Sequence, residues 1–171
     1  QKVPLIKHIL TKRPDYSSII IFTSSKRKVS EIVHSLRKNG FRSHGVSSNL
    51  DQSEREEVLL GFRSKRIRII VATDVMSRGI DIKEINLVIN YDTPFDAEDY
   101  VHRVGRTARA NTKGEAITLV NEKDMKKLTQ IQKLIEAEIT QTPLPEELGE
   151  GPEFKIHSNS SRRPFKMKRK N

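Results

Sequence analysis

The chain has 171 residues, enough for one domain of ordinary size, and it contains no cysteine, which excludes a disulfide scaffold and a thiolate metal site. Lys and Arg number 32 against 22 Asp and Glu, so the formal net charge of +10 favours a polyanionic partner. No apolar run approaches the roughly 18 residues that a membrane span needs, and neither a signal peptide nor an initiator Met is visible. We expect a cytoplasmic monomer without membrane attachment, and we interpret the sequence as a piece of a longer chain.

Apolar periodicity predicts strands that alternate with helices along the chain. The predicted strands cover residues 18–22, 42–46, 67–72, 86–91 and 115–120. The predicted helices start near Pro4, follow the apolar spacing of 29–36, open at Asp51, run from Asp96 to about Arg106, and run from about 122 to 137. Because several strands are apolar on both faces, the pattern is typical of a parallel sheet with helices on both sides.

Local signals mark several helix ends. Pro4 suits the first helical position, and Gly40 is placed to end the second helix. Asp51 followed by Glu54 resembles a capping box. Asp96 can cap the helix that follows it.

Three arginines stand three residues apart in the segment YVHRVGRTARA, at Arg103, Arg106 and Arg109. On one helix face such neighbours lie about 5–6 Å apart at their Cβ atoms, so their guanidiniums repel one another unless an anion lies among them. Planar guanidinium forks bind phosphate oxygens in pairs, and Gly105 would allow a close approach of backbone or ligand. The alternative is a solvated basic face that nearby carboxylates neutralise. Those carboxylates are Asp92, Asp96, Glu98 and Asp99.

Three further segments place polar groups at carboxyl ends of strands or at helix starts, where α/β sheets bind ligands. VATDVMSRGIDI carries Thr73, Gly79 and Asp81, which offer a hydroxyl, an exposed backbone and a carboxylate for phosphate and ribose. QSER offers Gln52 and Arg55 at a helix start that favours anions. FTSSK offers hydroxyls and a lysine. Each segment also has a structural reading, as an ordinary turn, a solvated arginine or a helix cap.

Several common catalytic patterns do not occur in the sequence. There is no G-x-x-x-x-G-K-[ST] phosphate loop, no metal-ligand spacing and no G-x-S-x-G elbow. An arginine cluster without a phosphate cradle indicates half of a site, which another domain would complete.

Basic charge is concentrated at the C-terminal end. Residues 155–171 hold seven basic side chains and no acidic one, which leaves only +3 for residues 1–154. We predict an α/β domain over 1–142, a linker rich in Pro and Gly over 143–154, and a disordered basic tail over 155–171. The tail is interpreted either as a solubilising terminus or as a nonspecific nucleic-acid contact.

Five segments, in this order, resemble motifs of the C-terminal RecA-like domain of DEAD-box ATP-dependent RNA helicases. They are IIIFTSSKRKV (motif IV), QSER (motif IVa), VATDVMSRGIDI (motif V), INLVINYDTP (the strand and turn that follow) and HRVGRTAR (motif VI). The resemblance covers about residues 1–140. Ala108 stands where motif VI usually has a second Gly, and Ser47-Ser48 where His-Gly often precedes motif IVa. Ser47-Ser48 and the basic tail resemble the bacterial RhlE-type branch.

The resemblance implies an ATP site shared between two domains. Arg106 and Arg109 would reach the γ-phosphate of ATP held on an N-terminal RecA-like domain, with Arg109 as the arginine finger, and Asp81 would contact the ribose. His102 and Arg103 would link the two domains in the closed state. Mg²⁺ would be held by the N-terminal domain.

The resemblance also implies an RNA-backbone site. The residues that would hold RNA phosphates are Ser25, Gln52, Arg55, Thr73 and Gly79. Backbone contacts of this kind carry little sequence information. Asp74 and Asp92 are interpreted as structural.

The implied function is the C-terminal half of an ATP-dependent RNA helicase. We expect ATP hydrolysis by the full-length protein and none by this chain alone, because the chain lacks the phosphate cradle. Two alternatives are a DNA-directed helicase half and a stand-alone RNA-binding or RNA-chaperone module without a nucleotide.

Overall fold

The computed structural model describes residues 2–74, 85–107 and 114–151. The α-helices are α1 Lys2–Thr11, α2 Lys26–Lys38, α3 Gln52–Arg63, α4 Ala97–Val104 and α5 Met125–Ile135. The strands are β1 Ile19–Thr23, β2 Ser43–Val46, β3 Ile69–Thr73, β4 Leu87–Asn90 and β5 Glu115–Thr118. Short 3₁₀ turns occupy Glu122–Asp124 and Glu146–Leu148.

The five strands form one sheet in the order β2-β3-β1-β4-β5, and every neighbouring pair is parallel. In the register, Ile19 of β1 lies opposite Ile69 of β3 and Leu87 of β4. The carboxyl ends of all five strands therefore lie along one edge, which we call the carboxyl edge.

Apolar side chains alternate between the two faces of the sheet and build two cores. Ile19 and Ile21 of β1 pack with α1 and α2 on one face. Ile20 and Phe22 pack with Leu59 and Phe62 on the other. The predicted parallel sheet with helices on both faces is confirmed.

Two of the predicted helix-end signals fit the structure and two do not. Asp51 and Glu54 form the reciprocal capping box, and Gly40 follows α2 with a φ of 84°. Asp96 precedes α4 but its side chain makes no capping hydrogen bond. Pro4 lies inside α1 and not at its start, a position tolerated because first-turn N–H groups have no intrahelical acceptor.

Strand ends differ from prediction by one or two residues, and the last two helices are shorter than predicted. α4 stops at Val104 because the chain tightens into three-residue turns, with Arg106 N donating to Arg103 O at 3.2 Å. The last predicted helix begins as a 3₁₀ turn capped by Asn121 and ends before Glu136, whose φ is 53°. None of the helices in the described ranges has the length and apolarity needed to span a bilayer.

The packing of α3 gives a direct test of the second core. Phe62 is fully buried, whereas Leu60 on the same helix is 60% exposed. Phe62→Ala should lower the free energy of unfolding by about 3–5 kcal/mol because it leaves a cavity against the sheet. Urea denaturation measures the loss, with Leu60→Ala as the matched control, expected within about 0.5 kcal/mol of the parent. Equal losses from the two variants would contradict this packing.

Candidate functional site

The carboxyl edge is organised around the buried guanidinium of Arg103, which is 2% exposed. Its Nε and Nη2 donate to the two carboxylate oxygens of Asp74, each at 2.6 Å. Its Nη1 donates to Asn90 Oδ1 at 2.9 Å and to the backbone oxygen of Asp92 at 3.1 Å. This fork ties α4 to the chain that leaves β3 and to the chain that leaves β4.

The surroundings of the Arg103 fork extend across the sheet. Arg103 Cζ lies 5.2 Å from the centre of the Phe22 ring on β1, a cation–π distance. Asn90 Nδ2 donates to Thr118 Oγ1 at the end of β5, at 3.0 Å. One polar network therefore connects α4 with the ends of β1, β3, β4 and β5.

A second cluster surrounds the side chain of Asp92. Its Oδ2 accepts from Thr23 Oγ1 at 2.9 Å, from Ser24 N at 2.9 Å and from Ser24 Oγ at 2.8 Å. Lys28 Nζ donates to both carboxylate oxygens, at 2.8 and 3.0 Å. Asp92 thus fixes the turn between β1 and α2 to the end of β4.

Charge and burial oppose each other at this cluster. Burial disfavours the charged carboxylate, but hydrogen bonds from Lys28, Ser24 and Thr23 outweigh it and hold the pKa of Asp92 well below its usual range. Lys2 Nζ approaches Asp92 Oδ1 at 4.0 Å and donates to the backbone oxygens of Tyr91 at 2.6 Å and Leu119 at 3.1 Å. Burial lowers the pKa of Lys2, although Asp92 attenuates the shift.

The four predicted RNA-contacting residues in the described ranges end or follow strands at the carboxyl edge. Ser25 follows β1 and caps α2, where its Oγ accepts from Lys28 N at 3.4 Å. Thr73 ends β3. Gln52 and Arg55 lie in the first turn of α3, which follows the carboxyl end of β2. The topology therefore brings these four residues to the carboxyl edge, the same edge as the Arg103 fork.

Comparison with known proteins identifies the family. Residues 1–111 match the family described as the helicase conserved C-terminal domain. The crystal structure of the E. coli DEAD-box protein SrmB, solved bound to regulator of ribonuclease activity A, superposes with a TM-score of 0.80 at 35% identity, over 92% of this chain and 90% of that chain. The C-terminal domain of the DEAD-box protein Dbp5 gives 0.76 at 31% identity, over 83% of each chain. The chain belongs to the family of DEAD-box helicase C-terminal domains.

Curated relatives agree with this assignment to the DEAD-box family. The ATP-dependent RNA helicase eIF4A of Kluyveromyces lactis is 40% identical over 72% of this chain and 31% of its own length. The probable ATP-dependent RNA helicase MJ0669 of Methanocaldococcus jannaschii is 45% identical over 70% of this chain and 33% of its own length. The chain spans about a third of the length of these relatives.

The position of Arg103 agrees with neither interpretation of the arginine spacing, which were an anion-binding face and a solvated basic face. Its side chain points inward and pairs with Asp74, so it belongs neither to an open anion-binding face nor to a solvated one. Arg106 lies in the turn after α4 and is half-buried, which separates it from Arg103 in environment. His102 is exposed and Arg103 is buried, and their role in linking the two domains stays a prediction.

Some predicted site residues of this DEAD-box domain lie outside the described residues. They are Gly79, Asp81 and Arg109, and Ala108 of motif VI also lies outside these ranges. Their roles stay predictions that rest on the motifs. Within the described ranges, no group of three or more His, Asp or Glu side chains is arranged to hold a metal ion.

The structure adds residues whose importance the sequence reasoning did not recognise. Asn90 is not singled out in the sequence analysis, and it holds the Arg103 fork together with Asp74 and Asp92, whose structural interpretation agrees with these bonds. A usable signal was present, since each stands at or just after the end of an apolar strand.

Close backbone packing also holds the turn that carries Arg106. A Cβ atom at Gly114 would lie 2.3 Å from the backbone oxygen of Thr107, so only glycine fits there. At Gly105, by contrast, a Cβ would meet the backbone oxygen of Val101 on its own helix at 3.0 Å. The close approach of a ligand at Gly105 stays a prediction.

The Arg103 fork predicts a strong preference for arginine. Arg103→Lys keeps the charge but offers a single ammonium in place of a planar fork, which leaves buried acceptors on Asp74 and Asn90 without donors. We expect a loss of about 3 kcal/mol in the free energy of unfolding, measured by urea denaturation. The exposed neighbour provides the control, because His102→Gln should change stability by less than about 0.5 kcal/mol. A lysine variant as stable as the parent would refute the importance of the fork.

The lowered pKa of Asp92 makes its contribution to stability depend on pH. A carboxyl whose pKa is depressed by folding stabilises fully above its unfolded pKa, near 4, and loses this contribution as the pH falls through the folded value. Asp92→Asn should cost at least about 2 kcal/mol near pH 7, through the weakened bonds to Lys28 and Ser24.

Urea denaturation over a series of pH values tests this dependence. The gap between the parent and Asp92→Asn should narrow below about pH 4. Asp15→Asn, at an exposed carboxylate, is the control and should show little gap at any pH. A constant gap down to the lowest accessible pH would speak against the lowered pKa.

Proposed function

We propose that this DEAD-box domain supplies half of an ATP site and half of an RNA-backbone site, and that an N-terminal RecA-like domain of the same protein completes both. Closure of the two domains on both ligands would couple ATP hydrolysis to local unwinding of an RNA duplex. The observation that carries the proposal is the Arg103 fork, because it fixes the end of α4 at the same sheet edge as Ser25, Gln52 and Thr73.

On the nucleotide side, Arg106 and Arg109 would contact the γ-phosphate, and Asp81 would contact the ribose. Guanidinium forks at the transferring phosphate stabilise the charge of the transition state, and such an arginine is typically worth about 10³–10⁵ in rate. The sequence contains no phosphate loop of the G-x-x-x-x-G-K-[ST] type, so we assign the phosphate cradle and Mg²⁺ to the N-terminal domain. His102 and Arg103 would link the domains when they close, the exposed His102 by direct contact and the buried Arg103 by fixing the position of α4.

On the RNA side, the start of α2, the start of α3 and the end of β3 would hold phosphates. Ser25, Gln52, Arg55, Thr73 and Gly79 are the residues assigned to this task. Helix starts and strand-end hydroxyls favour phosphate without reading bases. We also propose that the basic tail, 155–171, beyond the domain 1–142 and the linker 143–154, adds nonspecific contacts to RNA. The RhlE-type branch and the monomeric state stay predictions.

Arg109 gives the sharpest test of the shared ATP site. In the full-length protein, Arg109→Ala should reduce RNA-stimulated ATP hydrolysis at least about a hundredfold, because a preorganised charge at the phosphate is lost. Steady-state ATPase assays measure the rate, and thermal unfolding checks that the fold is intact. Arg66→Ala is the matched control, since Arg66 is exposed and precedes β3 at the opposite edge of the sheet.

Three outcomes would contradict the proposed function. They are an Arg109→Ala rate within a few-fold of the parent, steady ATP turnover by the isolated chain, and equal strand displacement on matched DNA and RNA duplexes. The last outcome would favour a DNA-directed helicase.

A further inference from the structure

Asp92 is the one residue, among those the structure describes, that bonds directly both to the turn before α2 and to the Arg103 fork. Its side chain accepts from Thr23, Ser24 and Lys28, while its backbone oxygen accepts from Arg103 Nη1 at 3.1 Å. The two bonded segments belong to different halves of the proposed function. The turn before α2 precedes Ser25, a predicted RNA contact, and Arg103 precedes Arg106, a predicted nucleotide contact.

On the RNA side, the Asp92 carboxylate holds the residue that directly precedes the N-cap of α2. Ser24 donates to it through both its backbone N–H and its hydroxyl, at 2.9 and 2.8 Å. Ser25, the next residue, is the N-cap of α2 and a predicted RNA contact. With two bonds to the residue directly before it, Ser25 has little freedom to move relative to Asp92.

On the nucleotide side, the Asp92 backbone holds one branch of the Arg103 fork. Arg103 lies in the last turn of α4, and its backbone oxygen accepts from Arg106 N at 3.2 Å. Arg106 is the first predicted phosphate contact after the helix. Arg103 therefore connects Asp92 to Arg106 through two hydrogen bonds: its side chain donates to the backbone oxygen of Asp92, and its backbone oxygen accepts from Arg106 N.

Asp92 itself is placed to position other groups and not to touch a ligand. Its side chain is 19% exposed, and its carboxylate oxygens already accept from Thr23, Ser24 and Lys28. The lowered pKa of Asp92 agrees with a carboxylate whose charged form these donors stabilise.

We infer that Asp92 is a positioning residue that holds the RNA-contacting start of α2 and the nucleotide-contacting end of α4 in one fixed arrangement. This inference rests on the proposed function. If both ligands must bridge the same closed pair of domains, each favours the state that binds the other. Loss of the fixed arrangement should weaken that mutual effect while each ligand alone still binds its own half.

The test measures coupling and not activity alone. In the full-length protein, the affinity for a single-stranded RNA is measured by fluorescence anisotropy with and without a nonhydrolysable ATP analogue. The ratio of the two affinities reports the coupling. For Asp92→Asn this ratio should fall at least about fivefold relative to the parent, while RNA affinity without nucleotide changes by less than about twofold.

A matched control separates positioning from general destabilisation. Glu115 is also a partly buried carboxylate that accepts from an arginine, Arg13, but it begins β5 at the opposite edge of the sheet. Glu115→Gln should lower stability and leave the affinity ratio unchanged.

Thr23→Val is the second variant at the site, since Thr23 is fully buried and loses only its bond to Asp92. It should lower the ratio in the same direction and by a smaller factor, and it keeps the test decisive if Asp92→Asn does not fold.

The outcomes are distinguishable. An affinity ratio for both site variants equal to that of the parent would overturn the positioning role and leave the proposed function standing. A drop in the ratio for Glu115→Gln as large as for Asp92→Asn would reduce the effect to lost stability and also overturn the role. A parent protein whose RNA affinity does not respond to the analogue would overturn the proposed function and this inference together.

Discussion

The constraint on which this carboxyl edge depends is the burial of a guanidinium. A buried arginine must find acceptors for its donors, because an unpaired charge in the interior is strongly destabilising. Arg103 meets this requirement only where Asp74, Asn90 and the backbone of Asp92 come together. The direction of α4, and with it the position of the turn that carries Arg106, follows from that requirement.

A parallel sheet makes such a site possible. All five strands end at one edge, so groups that are far apart in sequence meet there. Asp74 and Arg103 are 29 residues apart, and Thr23 and Asp92 are 69 apart. The same arrangement brings the predicted RNA contacts and the predicted nucleotide contacts to one edge, where a second domain can engage both. The coupling proposed for Asp92 uses this proximity.

Prediction from sequence succeeded where the signal was local. The alternation of elements, the capping box of Asp51 and Glu54 and the end of α2 at Gly40 depend on residues within a turn of one another. It failed at Asp96, which offers a suitable cap residue whose side chain makes no capping bond, and at the end of α4, where three-residue turns replace the helix. These outcomes depend on packing around α4, which local patterns do not encode.

The sequence by itself determined the fold class, the family and the order of the motifs, because the apolar periodicity and the motif spacing can be read from the residues without knowing their contacts. The equal spacing of Arg103, Arg106 and Arg109 did not decide how deeply each is buried, although the resemblance assigned Arg103 to the link between domains and the other two to phosphate. Only the tertiary structure separated Arg103 from Arg106, since burial depends on which strands bring acceptors to a side chain. Asp74, Asn90 and Asp92 make Arg103 a part of the interior, whereas Arg106 stays half-buried in the turn that follows.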